Sequence, residues 1–167
     1  MKIKLTHMRL GLGVAANDTE TVLRSLPSIE LRYRAQDAAA RELARWCQTR
    51  PEIAQVLHPA LADSPGHAHW QALCRRDAGG AASLFSVIFD ARYTSAPVDA
   101  FCDALRLFEL GYSWGGPISL VVPYDLPSMR AKWPAHLTHG TLVRLAIGLE
   151  ATAELQADLA QALQAMA

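Results

Sequence analysis

The amino-acid sequence predicts an α+β fold, in which one four-stranded sheet carries helices on one of its faces. Two observations support this prediction. Four short segments combine β-branched residues with period-two alternation, and segments with helical spacing lie around and between them. The strand candidates are residues 53–57, 83–90, 119–122 and 140–150. No internal repeat, linker or low-complexity stretch divides the chain, so a single layered domain is expected.

Helical spacing predicts the elements that cover the sheet. A first helix has Asn17 or Asp18 as its N-cap and runs to Leu26. The clearest helix extends from Ser28 to about Thr49, and Pro51 closes it. Further helices are expected over 66–76, 99–107 and 152–166, with a short one near Met129 in a proline-rich loop. The side chains expected to face the core from these helices are Ile29, Tyr33, Ala40, Leu43, Cys47, Trp70, Leu73, Phe101, Ala104, Leu105, Phe108, Leu155, Leu159, Leu163 and Met166.

Composition excludes several classes of function. The 167 residues are 51% hydrophobic and 19% charged, which is typical of a globular domain with a substantial core. Net charge is zero and the basic residues are scattered, so neither nucleic acid nor an anionic membrane is an expected partner. No apolar run approaches the roughly 20 residues of a membrane helix. The apolar stretch after Lys2 and Lys4 is too short and Gly-rich for a signal peptide.

The cysteines and histidines give no metal motif. Cys47, Cys74 and Cys102 lack CxxC spacing, which favours buried, reduced thiols in a cytoplasmic protein. His67 and His69 are two positions apart, and residues at that spacing lie on different faces of a helix. We therefore predict no metal site.

Arg144 is the unusual residue of the last strand candidate, because its neighbours are apolar. A guanidinium keeps its proton, so a partly buried one requires an anion or a ring of acceptors. One interpretation is an ion pair with one of the chain's own carboxylates. The other is a ligand carboxylate held by two parallel N–H bonds. Since structural ion pairs are common, the strand alone favours the first interpretation.

Several motifs together resemble one enzyme family. Tyr112-Ser113-Trp114-Gly115-Gly116 precedes Gly140-Thr141-Leu142-Val143-Arg144-Leu145-Ala146-Ile147-Gly148-Leu149-Glu150, and both follow His58-Pro59-Ala60-Leu61 and Ser83-Leu84-Phe85-Ser86. This arrangement closely resembles the pyridoxal-phosphate (PLP) enzymes of Cys/Met metabolism, which are the transsulfuration lyases and synthases. The similarity runs from about His7 to the end of the chain. Ser-Trp-Gly-Gly is similar to the bacterial cystathionine β-lyase branch, whereas γ-lyases and γ-synthases more often carry Ser-Leu-Gly-Gly. Ile118 is a departure, since the family usually has an acidic residue there.

The resemblance implies a fold, an activity and a set of site residues. The fold would be the C-terminal domain of PLP-dependent fold-type I transferases, with a small, mostly antiparallel four-stranded sheet. The activity would be carbon–sulfur β-elimination, which converts cystathionine to homocysteine, pyruvate and ammonia. Arg144 would bind the α-carboxylate of a small amino-acid substrate, and Ser113 and Trp114 would lie beside that carboxylate through backbone groups. Tyr112 would line the pocket without an assigned role.

The resemblance also implies that part of the enzyme lies outside this chain. The sequence has three lysines, Lys2, Lys4 and Lys132, and none has the apolar setting that lowers an amine pKa for imine formation. Residues 1–17 would lead in from a missing large N-terminal domain that binds PLP, and 18–167 would form the small domain. The chain alone would be inactive, and the complete enzyme would be a cytoplasmic homo-oligomer, a tetramer by the resemblance. The alternatives are a γ-lyase or γ-synthase of the same family, or a non-catalytic α+β module that binds a partner through its open sheet face.

Overall fold

The computed structural model describes residues 2–11, 13–74 and 80–166. The chain divides into two compact units, Met1–Arg32 and Tyr33–Ala167. The predicted boundary between residues 17 and 18 stays a prediction.

The first unit is helical. It contains α1 (Lys2–Arg9), α2 (Ala16–Ser25) and a 3₁₀ turn over Leu26–Ser28. None of its described residues is buried. The prediction of Asn17 or Asp18 as N-cap is wrong: Ala15 occupies that position in extended conformation, without a side-chain cap, and Asp18 lies in the first turn. There its carboxylate still interacts favourably with the positive end of the helix dipole.

The second unit is built on a five-stranded sheet in the order β1-β2-β5-β4-β3. The strands are β1 (Ile53–Leu57), β2 (Leu84–Phe89), β3 (Glu109–Leu110), β4 (Leu120–Tyr124) and β5 (Leu142–Ala146). Neighbours are antiparallel except β3 and β4, which are parallel. The predicted α+β class and mostly antiparallel sheet are confirmed, and the four predicted strands all form.

The strand count is corrected from four to five, because the stretch after residue 108 begins with β3. Its backbone joins the sheet through Glu109 N–H to Ser119 O (3.0 Å) and Gly111 N–H to Val121 O (3.3 Å). Two residues are too few to show a period-two pattern, which is why the sequence did not indicate this strand. β4 also continues through Pro123, which is possible because β3 ends before it and leaves that edge unpaired.

Helices α3 (Ile29–Cys47), α5 (Ser95–Ala104) and α7 (Thr152–Leu163) contribute to the main core with one face of the sheet. The short helix α6 (Leu126–Met129) forms in the proline-rich loop, where a helix near Met129 was predicted. The sheet residues of that core alternate along their strands, as a single buried face requires. They include Phe85, Val87, Phe89, Val121, Val143 and Leu145. The expected core face of α7 is confirmed, since Leu155, Leu159, Leu163 and Met166 are all buried.

Two of the predicted core faces are wrong in part. On α3, Ile29 and Tyr33 are exposed, because burial of this helix begins only at Gln36. Helix α4 (His67–Cys74) has no buried residue, and Leu73 is exposed; the predicted end at Arg76 lies outside the described residues.

The predicted helix over 99–107 is displaced toward the N-terminus. It starts at Ser95 and ends at Ala104. The backbone N–H groups of Arg106 and Leu107 donate instead to the buried carboxylate of Asp158 (3.0 and 2.8 Å). A competing side-chain acceptor therefore ends the helix.

The thiols are partly as expected. Cys47 and Cys102 are buried, whereas Cys74 is exposed, against the prediction. Burial raises the pKa of both buried thiols to about 12; nearby Arg50 opposes the rise at Cys47, and Asp99 and Asp103 add to it at Cys102.

Candidate functional site

The opposite face of the sheet carries Arg144, as the strand pattern predicted. Arg144 lies at the middle of β5, which is the central strand, and its cross-strand neighbours are Ser86 on β2 and Val122 on β4. Farther along this face, Ile88, Leu126 and Leu142 form a second, smaller apolar cluster under the loop that follows β4. The guanidinium therefore lies between apolar cover at one end of the face and the 111–119 loop.

The Arg144 side chain is bonded to backbone carbonyls. Its Nη2 donates to Gly111 O and to Ser113 O, both at 3.1 Å. Nε is buried and has no hydrogen-bond partner within the described residues. Among the described residues, none of the ion pairs includes Arg144. Within residues 2–11, 13–74 and 80–166, Arg144 is therefore not half of an intramolecular ion pair.

This arrangement leaves a positive charge without a counter-charge. Carbonyl oxygens satisfy N–H groups but carry no net charge, so they do not neutralise a guanidinium. A buried N–H without an acceptor costs about 1–3 kcal/mol. A carboxylate that approached this fork would supply both the missing acceptor and the missing charge.

The 111–119 loop brings the predicted site residues close to Arg144. Ser113 supplies the carbonyl described above, and the Trp114 ring centroid lies 5.9 Å from the guanidinium carbon. Tyr112 instead contacts Tyr124 edge-to-face, with 6.4 Å between ring centroids. Tyr112 and Trp114 are 74% and 62% exposed, so both are open to a ligand or another protein surface.

The backbone group of Ser113 that faces the arginine is an acceptor. A carbonyl cannot donate to a carboxylate, so this group orients the guanidinium and leaves its remaining N–H groups for the ligand. That Ser113 and Trp114 contact the substrate directly stays a prediction.

Three residues that hold the 111–119 loop were missed from the sequence. The Gln36 amide on α3 donates to Gly116 O at 2.7 Å, and the Glu150 carboxylate accepts from Ser119 N–H and Oγ–H at 2.7 and 2.8 Å. Gln36 gave one usable signal, because it is a polar residue on the otherwise apolar stripe of α3. Ser119 and Glu150 gave no such signal, because both lie outside the strands. Ser119 immediately precedes β4, and Glu150 lies in the turn after β5.

A second concave region is a poor carboxylate site. An open cleft of about 770 Å³ is lined by aromatic and acidic side chains, among them Tyr93, Asp99, Asp125 and Trp133. The Trp133 ring stacks on His139 with centroids 4.8 Å apart. No lysine or arginine lines this cleft within the described chain, so an anion has no cationic partner there.

None of the lysines in the described residues is buried. Lys2, Lys4 and Lys132 are all exposed, and an amine that forms an imine readily is one that has been desolvated.

In the part of the chain that the structure describes, no cluster of three or more His, Cys, Asp or Glu side chains could hold a metal ion. None of the helices in the described residues has both the length and the apolar character that crossing a bilayer requires.

Comparison with known proteins identifies the family. The model of the Cys/Met metabolism PLP-dependent enzymes matches residues 1–164. A putative cystathionine beta-lyase of Rhizobium johnstonii is 39% identical over 162 residues, which cover 95% of this chain and 39% of that protein. The cystathionine beta-lyase of Salmonella typhimurium is 36% identical over 154 residues, covering 90% of this chain and 38% of that protein. The chain belongs to the Cys/Met metabolism PLP-dependent enzyme family.

Solved structures agree on the fold. An O-acetylhomoserine sulfhydrylase of Wolinella succinogenes has a TM-score of 0.77 at 25% identity, over 96% of this chain and 41% of that one. A cystathionine gamma synthase of Xanthomonas oryzae pv. oryzae has a TM-score of 0.75 at 31% identity, over 95% and 40%. This chain thus spans about two fifths of the length of the relatives that it matches.

Proposed function

We propose that this chain supplies the substrate α-carboxylate site of a PLP-dependent carbon–sulfur β-lyase that cleaves cystathionine. The observation that carries the proposal is Arg144, a guanidinium in the centre of the sheet with a buried Nε that lacks an acceptor. Its charge has no carboxylate partner among the described residues. Enzymes of Cys/Met metabolism act on amino acids, which carry an α-carboxylate, and the Salmonella typhimurium relative is a cystathionine beta-lyase.

In this proposal the chain positions the substrate and does not carry out the bond cleavage. PLP, when bound elsewhere in a complete enzyme, withdraws electrons from the carbon next to the amino group. Arg144 would grip the carboxylate on that same carbon and thereby fix which of its bonds is aligned for cleavage. Ser113 O and Gly111 O hold one end of the guanidinium, so the fork is already oriented before substrate arrives. Trp114 would shield the ion pair from water and so strengthen it.

The remaining machinery would lie in the residues that the relatives have and this chain does not match. These would include the PLP-binding domain, and the complete enzyme would be a cytoplasmic homo-oligomer. The chain alone would then be inactive, since its lysines are exposed.

Replacement of Arg144 tests the proposal in a complete enzyme that contains this chain. Arg144→Ala should lower kcat/KM for cystathionine by about 30- to 1000-fold, because losing a charge-assisted contact to the substrate carboxylate costs about 2–4 kcal/mol. Arg144→Lys should also be poor, since a point charge cannot reproduce the planar fork. The exposed Arg106→Ala is the matched control and should leave kcat/KM unchanged. Equal kcat/KM for Arg144→Ala and the control would refute the assignment.

Product analysis separates the β-lyase from a γ-lyase or γ-synthase. The γ alternative stays open because a cystathionine gamma synthase of Xanthomonas oryzae pv. oryzae is also similar to this chain, at 31% identity, and because Ile118 departs from the residue that the family usually has at that position. Homocysteine, pyruvate and ammonia from cystathionine would support β-elimination. Cysteine and 2-oxobutyrate would indicate γ-cleavage instead.

A further inference from the structure

The 111–119 loop cannot keep its conformation by its own packing. Residues 112–118 are all exposed, so the loop has no buried side chain of its own until Ser119. Yet two of its carbonyls, Gly111 O and Ser113 O, are the acceptors that orient Arg144. Other parts of the fold must therefore fix this loop for the guanidinium to have a defined direction.

The turn after β5 holds the C-terminal end of the loop. Both oxygens of Glu150 accept from Ser119, from its N–H at 2.7 Å and from its hydroxyl at 2.8 Å. The same hydroxyl accepts from Gly148 N–H at 2.9 Å, and Leu149 N–H donates to Pro117 O at 2.8 Å. A Cβ on Gly148 would lie 2.3 Å from Pro117 O, so the two segments are in direct backbone contact.

Helix α3 holds the middle of the loop. The Gln36 side chain is 7% exposed, and its amide donates to Gly116 O at 2.7 Å. Burying the Gln36 amide in this apolar stripe costs desolvation free energy. An apolar residue at the same position would avoid that cost. The loop is thus tied to two separate elements within three residues of Ser119.

We propose that Glu150 is a positioning residue for carboxylate recognition, assisted by Gln36. β5 carries Arg144, and the turn that directly follows β5 carries the carboxylate that fixes the loop opposite it. Loss of the Glu150 bonds would release Ser113 O and Trp114 from their places beside the guanidinium. This inference rests on the proposed role of Arg144, and it adds that carboxylate selectivity depends on residues that never touch the substrate.

The test measures selectivity in the complete PLP-loaded enzyme. The probes are glycine and glycinamide as competitive inhibitors, which differ by the charge that Arg144 would bind. The Glu150→Ala variant should reduce the preference for glycine over glycinamide about tenfold relative to wild type, with a similar fall in kcat/KM for the amino-acid substrate. Glu150→Gln should restore most of the preference, because its amide oxygen can still accept from Ser119 N–H. The exposed Glu154→Ala is the control and should keep the wild-type ratio.

A second variant covers the case in which Glu150→Ala does not fold. Gln36→Met keeps the volume of a buried side chain and removes only the bond to Gly116 O, and it should shift the same ratio in the same direction. A purely structural role would lower stability and activity while leaving the glycine-to-glycinamide ratio unchanged, and that result would overturn the inference.

Failure of this inference can be told from failure of the proposed function. If Arg144→Ala abolishes the preference for glycine while Glu150→Ala and Gln36→Met retain it, only the positioning role is refuted. If Arg144→Ala itself leaves the preference unchanged, the carboxylate site is elsewhere and both proposals fall.

Discussion

At the scale of single residues, His58 is a titratable group that the fold keeps in its neutral form. Its side chain is fully buried, and Nδ1 accepts from Ala60 N–H at 3.2 Å. A neutral ring that accepts at Nδ1 carries its proton on Nε2, which has no hydrogen-bond partner in the part of the chain that the structure describes. Burial lowers the pKa of His58 to about 4; Arg41 and Arg45 contribute to the lowering, and Asp37 opposes it.

The lowered pKa of His58 predicts a pH-dependent stability. An unfolded chain takes up a proton on this ring below about pH 6.5, whereas the folded chain does so only near pH 4. Stability from His58 is therefore complete above pH 6.5 and should fall by up to about 1.4 kcal/mol per pH unit on acidification toward pH 4. Urea unfolding at several pH values measures this slope. His58→Asn, whose Oδ1 can replace the Nδ1 acceptor, should show a shallower slope over the same window, and an identical slope would contradict the prediction.

At this scale the sequence singled out a side chain that is chemically out of place, and its role stays a prediction. Arg144 could be selected because a guanidinium in an apolar strand needs acceptors. Its partners could not be selected, since Gly111 O and Ser113 O are backbone groups that every sequence contains. The network of Glu150, Ser119 and Gln36 joins residues far apart in the chain, so spacing carried no information about it.

At the scale of elements, Gly140 controls the entry into β5. Its φ is +150°, and a Cβ there would lie 1.9 Å from Phe89 O, a backbone atom of β2. Phe89 N–H donates to Thr141 O at 3.0 Å, so the two strands begin pairing immediately beside this glycine.

Gly140→Ala should therefore destabilise the fold by about 2–4 kcal/mol, because backbone on both strands must shift. The midpoint of urea unfolding gives the measurement. Gly116→Ala is the matched control, since a Cβ there meets nothing within 4 Å and no left-handed φ is involved; it should change stability by less than about 0.5 kcal/mol. Equal midpoints for the two variants would refute the steric argument.

Element prediction failed mainly where tertiary contacts set a boundary. β3 forms because β4 offers it hydrogen bonds, and a two-residue strand has no pattern of its own. α5 ends before the predicted residue because Asp158, on a helix much later in the chain, accepts hydrogen bonds from the backbone N–H groups of Arg106 and Leu107. The long, strongly periodic segments were placed correctly, which is where pattern carries most information.

At the scale of the whole molecule, the distribution of lysines predicts the behaviour of this chain toward PLP. Lys2, Lys4 and Lys132 are exposed, and exposed amines form imines weakly and without selectivity. Intact mass after addition of PLP and borohydride should show no stoichiometric adduct that an added amino acid removes. A single adduct that is lost on competition would mean that one of these lysines forms a specific cofactor site.

The sequence-based predictions for the whole molecule fall into two groups. The family and the α+β class are confirmed, because they depend on motifs and periodicity within this chain. Activity, oligomeric state and the missing domain stay predictions, because they depend on residues that the chain does not match in relatives of more than twice its length.

The central place of β5 has a consequence for biosynthesis. β2 and β4 lie far apart in the sequence, and β5, made after both, is inserted between them. Until β5 has also left the ribosome, β2 has one unpaired edge and β4 has almost two, since β3 covers only two of its residues. Open strand edges on a nascent chain pair readily with neighbouring chains. The emerging polypeptide is thus exposed to aggregation on the polysome until its arginine-bearing strand has left the exit tunnel and paired with both neighbours.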